Sequence, residues 1–258
     1  MRARLSAGRP VAGITITTSN VETAAHAARL GFHFLWMEME HSPITLETLR
    51  NVVLATQAAP ARVFARVPVN ELWTAKRVLD QGVAGVIFPF TSTPELAAQA
   101  AAACKYPPAG RRGSGAGLAR ATWPEPGDYH DSADHNVMVV TVIEELRAVE
   151  RIDEIAATPG IDVLFIGTSD LAFSMGFRGR QDEPALQEAI RAIVSAAQRH
   201  GKFVGRPAAT PDKIREFMDQ GFLFFQTGTE LGLMTAGAKQ LLAPFGIEGI
   251  TIDRRALY

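Results

Sequence analysis

Eight short runs rich in β-branched and aromatic residues recur along the chain, at 11–18, 32–38, 62–66, 84–89, 137–143, 161–166, 202–206 and 222–227. Between them lie Ala- and Leu-rich segments with helical spacing, at 21–30, 46–58, 71–81, 94–104, 145–157, 184–200, 211–220 and 231–243. Strand and helix taking turns eight times is the order of a parallel sheet with helical crossovers, and eight such units close into a (β/α)8 barrel. The 258 residues match the roughly 250 typical of that fold, so one domain is expected over 1–258.

The punctuation repeats with the elements. Gly31, Gly82 and Gly221 each close a helical stretch just before a strand, where the cap needs a left-handed residue. Thr45, Thr93 and Thr210 stand at helix starts, the last two directly before proline. The exception is 105–136, which shows neither strand nor helix periodicity and reads as a long loop, a functional lid or an oligomer contact. Its GRRGSGAG lacks the Lys-Ser/Thr ending of a P-loop and the helix entry of a Rossmann turn.

Composition narrows the partners. Hydrophobic content of 47%, charged content of 21% and a formal net charge of -1 are ordinary for a soluble globular chain and give no electrostatic reason to expect nucleic acid. A small-molecule substrate is favoured. The lone Cys104 excludes an intrachain disulfide and a cysteine-cluster metal site, as suits a reducing compartment. Nothing resembles a signal peptide or reaches the ~18 apolar residues of a membrane span, so the expected location is cytoplasmic with no membrane partner.

Several of the apolar runs end in charge: MEMEH at 37–41, FARVP at 64–68, VIEE at 142–145 and FIGTSD at 165–170. Glu144 and Asp170 leave two consecutive strands, and neighbouring parallel strands are ~5 Å apart, so the two carboxylates can converge on one hard divalent cation. Either acid could instead cap the helix that follows it. Arg66 ends its run two residues before Pro68, which keeps the segment extended at Val67, and its guanidinium is expected at the barrel mouth to meet developing oxyanion charge or to pair with Glu38 or Glu40. His41, beside those two acids, has the setting of a general base or proton shuttle. The other histidines, among them His26, His130, His135 and His200, read as surface groups. Lys202 begins its strand and so belongs at the opposite rim, which disfavours a Schiff base.

In that order MEMEHSP, FARVP, KYPPAGRRG, VIEE and FIGTSDLAFSMG resemble the HpcH/HpaI aldolase family over nearly the whole chain. These are metal-dependent pyruvate aldolases that cleave 4-hydroxy-2-oxo acids on a barrel of the phosphoenolpyruvate/pyruvate type. The resemblance implies that Glu144 and Asp170 ligate Mg²⁺, Mn²⁺ or Co²⁺, that Arg66 stabilises the enolate, and that His41, partnered by Glu38, is the acid/base. It also implies that backbone amides around Ser169 and Asp170 hold the substrate carboxylate. Asp80 would serve a neighbouring subunit's site in a homo-oligomer, commonly a hexamer built as a trimer of dimers that exchange the helix near 229–243.

Two positions depart from the family's pattern. Glu38-Met39-Glu40-His41 stands where many relatives carry Asp-Gly-Glu-His, and Val142 stands where they tend to carry Gln. Both leave open oxaloacetate decarboxylation or another metal-enolate lyase reaction. A non-catalytic binding barrel is the third reading.

Overall fold

In a computed structural model that describes residues 1–123 and 128–246, eight parallel strands close a barrel in sequence order. They are β1 (Val11–Ile16), β2 (Phe34–Glu38), β3 (Arg62–Arg66), β4 (Gly85–Phe88), β5 (Met138–Ile143), β6 (Val163–Ile166), β7 (Phe203–Pro207) and β8 (Phe224–Thr229). All eight expected strands are present. Residues 124–127 of the expected loop and 247–258 of the expected domain lie outside the described residues.

Alternation along each strand sorts side chains between two layers. Those pointing inward form one cluster, including Phe34, Trp36, Phe64, Ile87, Val140, Val142, Phe165 and Phe224. Phe34 stacks on Phe224 with ring centroids 4.5 Å apart, and Gly13 is required beside them because a Cβ there would lie 2.1 Å from the Phe34 ring. Outward residues such as Ile14, Leu35, Val139 and Leu164 pack against the helices in a second, larger cluster.

The punctuation holds. Gly31, Gly82 and Gly221 adopt φ of 101°, 100° and 94°, and the hydroxyls of Thr45, Thr93 and Thr210 accept the N–H groups of Thr48, Leu96 and Lys213. Three features differ from expectation. The segment 105–136 contains two short helices, Gly117–Thr122 and Tyr129–Asn136. The helix expected over 145–157 is divided at Arg151 into Leu146–Glu150 and Ile152–Ala157. An N-terminal helix, Arg2–Ser6, places Leu5 in the inward cluster, closing the barrel from below. Each of these helices has only five to eight residues, too few turns to print a 3.6-residue period.

Candidate active site

The C-terminal ends of the strands carry a compact group of charges. Glu38, the last residue of β2, is buried and fully occupied by donors. Its Oε1 accepts the backbone N–H groups of Glu40 (2.9 Å) and His41 (3.1 Å), and its Oε2 accepts the Trp36 indole N–H (3.1 Å) and faces Arg66 Nη1 at 3.4 Å. Glu38 therefore folds the turn that presents His41 and meets that residue at its backbone. The carboxylate facing the imidazole is that of Glu40, 3.5 Å from His41 Nε2. The acid expected to partner the histidine is thus a scaffold, and Glu40 stands in its place.

Arg66 ends β3 at the centre of the group. It touches Glu38, makes a close ion pair with Glu40, and lies 3.8 Å from Glu144 Oε2. The guanidinium pairs with the acids, as one of its two expected roles requires, and its buried Nε has no hydrogen-bond partner.

Glu144 follows β5 and is 2% exposed. Its Oε1 accepts the Phe90 N–H at 2.6 Å, an amide turned inward because Phe90 adopts φ of 46°, strained for a bulky residue and typical of functional sites. Neither Glu144 nor Asp170 caps a helix with its side chain. The cap residues are Glu145 and Gly167, and Asp170 lies within the first turn of Thr168–Ser174. The capping readings are excluded.

The electrostatics show what the group lacks. Burial pushes the Glu144 carboxyl up, with further contributions from Asp170 and Glu145. Burial also pushes Glu40 up, to about 7, against the pull of Arg66 and with help from Glu144, Glu38 and Asp170. Four carboxylates share the field of one arginine. That is a donor set and a charge deficit suited to a hard divalent cation on Glu144 and Asp170. Among the described residues no group of three or more His, Cys, Asp and Glu side chains has metal-ligating geometry, so a cation here would rest on two carboxylates, with water and substrate completing its shell.

The remaining expected residues divide. Ser169 is exposed at the same rim, in the first turn of its helix, where N–H groups have no intrahelical acceptor. Asp80 is not brought to this site. It ends the helix Leu72–Asp80, at the opposite end of the barrel, with Arg112 Nη2 3.4 Å from its Oδ1. Lys202 is also at the far rim, donating to the carbonyls of Thr158 and Ile161. Cys104 is buried, its thiol pushed up to about 12 by burial, and plays a packing role. Of the histidines expected at the surface, His130 packs edge-on against Tyr106 at 4.6 Å. A cavity of about 270 Å³ at the far end is lined by Arg62, Phe64, Trp123 and Met138 and, among the described residues, by no acid. Phe90 and Trp36 were not indicated by sequence, since neither carries a reactive group.

A family model described as HpcH/HpaI aldolase/citrate lyase matches residues 13–236. The chain is 33% identical over 245 residues to the hydroxypyruvate/pyruvate aldolase of Cupriavidus necator, covering 95% of this chain and 91% of that protein. It is 34% identical over 245 residues to the 4-hydroxy-2-oxo-heptane-1,7-dioate aldolase of Salmonella arizonae, covering 95% and 93%. The crystal structure of an HpcH/HpaI aldolase/citrate lyase family protein from Burkholderia cenocepacia J2315 superposes with a TM-score of 0.87 at 28% identity, over 95% of this chain and 98% of that one. The family match runs from β1 into the helix Glu230–Leu242 and takes in the whole barrel: the chain belongs to the HpcH/HpaI aldolase/citrate lyase family and is a carbon–carbon lyase.

Proposed function

We propose that the protein is a divalent-metal-dependent aldolase that cleaves or forms 4-hydroxy-2-oxo acids through a pyruvate enolate. The observation that carries this reading is the gathering of Glu38, Glu40 and Glu144 on Arg66, with Asp170 near enough to push both Glu40 and Glu144 up, an excess of carboxylates over one arginine that a bound cation would balance. Mg²⁺, Mn²⁺ or Co²⁺ held by Glu144 and Asp170 would act as a Lewis acid toward the 2-oxo acid.

The chain's own residues supply the rest. In cleavage His41 takes the proton of the 4-hydroxyl, the C3–C4 bond breaks, the aldehyde leaves, and the bonding pair remains on the pyruvate unit as its enolate. Arg66, at the centre of the acids, stabilises the enolate oxygen. Glu40 orients the imidazole. Glu38 holds the turn that carries both. The first-turn amides at Ser169 and Asp170 receive the substrate carboxylate, and Asp80 serves the site of a neighbouring copy. The proposed compartment is the cytoplasm; among the described residues no helix is long and apolar enough to cross a membrane.

Exchange of the pyruvate methyl protons in D2O, followed by NMR with Mg²⁺ or Mn²⁺ and again with EDTA, tests enolate formation without knowledge of the aldehyde. Metal-dependent exchange that is lost in Arg66→Ala is expected. Absence of exchange with any divalent metal would overturn the proposal. A second reading, oxaloacetate decarboxylation or another metal-enolate lyase reaction, is favoured by Val142, which offers only methyl groups beneath Glu144. Loss of CO2 from oxaloacetate without cleavage of any hydroxy-oxo acid would establish it.

A further inference from the structure

The mouth of the barrel has two unlike halves. The charges described above come from the exits of β2, β3, β5 and β6. The wall formed by β7, β8 and β1 is polar but uncharged. Thr15 faces inward, in line with Val11 and Gly13, and is 3% exposed. Gln226 faces inward in line with Phe224 and is half-buried. The Gln226 Nε2 donates to Thr15 Oγ1 at 2.6 Å.

A break in register sets this pair at the mouth. Gly13 pairs with Gln226 but Thr15 pairs with Thr229, so β8 carries an extra residue over that interval. Such bulges re-aim side chains and gather next to active sites. Thr227 Oγ1 ties the bulge to the Gly13 carbonyl at 2.9 Å.

We propose that Thr15 and Gln226 form the subsite for the aldehyde, and that they select acceptors carrying a hydroxyl on the carbon beside the carbonyl. This deepens the pyruvate-aldolase reading and rests on it. With the enolate between Arg66, Glu144 and Asp170, and with His41 beyond β2, the remaining carbons of an aldehyde extend over β1 and β8. In synthesis C3 of the enolate attacks the aldehyde carbon, the carbonyl π pair moves onto oxygen, and that oxygen gains a proton from His41. The proton lost from the pyruvate methyl balances it.

The hydrogen-bond inventory of the wall decides the class of acceptor. After their mutual bond, Gln226 retains one N–H and its carbonyl oxygen, and Thr15 retains its O–H. A neutral pair offering both donors and an acceptor complements a hydroxyl, which is both, better than a carboxylate, which only accepts. No cation among the described residues of β7, β8 or β1 is available to a charged tail. Arg206 on β7 points outward and stacks on Phe217 at 3.5 Å. Glu230, which follows β8, spends Oε1 on the N–H groups of Thr17 and Thr18 at 2.7 Å each and on the Thr17 hydroxyl at 3.1 Å, so it offers no cation either.

The test compares glycolaldehyde, propanal and succinic semialdehyde as acceptors for pyruvate. The first two differ only in a hydroxyl replacing a methyl. Wild type is expected to favour glycolaldehyde over propanal in kcat/KM by about 10- to 100-fold, and to favour it over succinic semialdehyde. The preference should fall close to 1 in Thr15→Val and in Gln226→Leu and persist in Thr15→Ser, which keeps the hydroxyl. Because each value is a ratio on one enzyme, lost folded protein or slowed enolate formation cancels from it. Wild type that exchanges pyruvate protons in D2O yet shows no hydroxyl preference, or keeps it in both variants, overturns the subsite and leaves the aldolase reading standing. No exchange overturns that reading, and the subsite with it.

Discussion

At the scale of single residues, Glu40 couples the site to pH. In the metal-free protein its carboxyl is pushed from 4.5 to about 7, first by burial and then by three neighbouring acids. The folded state therefore binds a proton that the unfolded chain has released between those two values. Stability must fall as pH rises through that window, the opposite of the usual carboxylate. Glu144 shifts in the same direction. Urea unfolding of the chelated protein at about pH 5 and about pH 8 should show a loss of stability that Glu40→Gln visibly reduces. An unchanged slope in Glu40→Gln would mean that the carboxyl is not buried as described. Glu38, a scaffold with every lone pair engaged, and Glu40, poised to titrate, sit two residues apart; their roles are set by which backbone and side-chain donors each meets.

At the scale of elements, the exit of β6 is shaped for the acid on β5. Gly167 has φ of −77°, a conformation any residue adopts, so its requirement is spatial. A Cβ there would stand 2.9 Å from both Cβ and Oε2 of Glu144 and 3.1 Å from Val142. Glu144 cannot retreat, because its other oxygen is held by the Phe90 amide. Gly167→Ala should cost about 1–3 kcal/mol in urea unfolding through overpacking and weaken Mn²⁺ binding measured by electron paramagnetic resonance. Native stability with native Mn²⁺ affinity would remove Glu144 from the metal site. The strands themselves were legible in the sequence because a parallel barrel buries both faces, so β5 reads as six apolar or small residues in a row. The acids and arginine at their ends were legible for the same reason, as charge interrupting a buried run. The left-handed turn at Phe90 follows an ordinary Pro-Phe pair and left no sequence signal. The Thr15–Gln226 bond joins residues 211 apart, and only closure of β8 onto β1 brings them together.

At the scale of the whole molecule, two features stand out among the described residues. The helix Glu230–Leu242 buries only its first residue, while Met234 and Leu241 are 66% and 74% exposed, an apolar face that a second copy would cover. Asp80 is held by Arg112, a fully buried guanidinium set against the Tyr106 ring at 4.6 Å, an expensive support for an acid that cannot reach its own mouth. Both features fit the proposal of a homo-oligomer in which Asp80 completes a neighbour's site. Wild type should sediment at a multiple of 27.8 kDa, and Met234→Glu combined with Leu241→Glu should shift it to smaller species with the barrel's circular dichroism retained. Exchange in trans has a sharper test. Asp80→Ala and Arg66→Ala should each be inactive alone. When their subunits are mixed and reassembled, some sites receive Arg66 from one chain and Asp80 from the other, and activity should return. Mixed oligomers that form by native mass spectrometry yet stay inactive would confine Asp80 to holding Arg112, and the site would then be complete within one barrel.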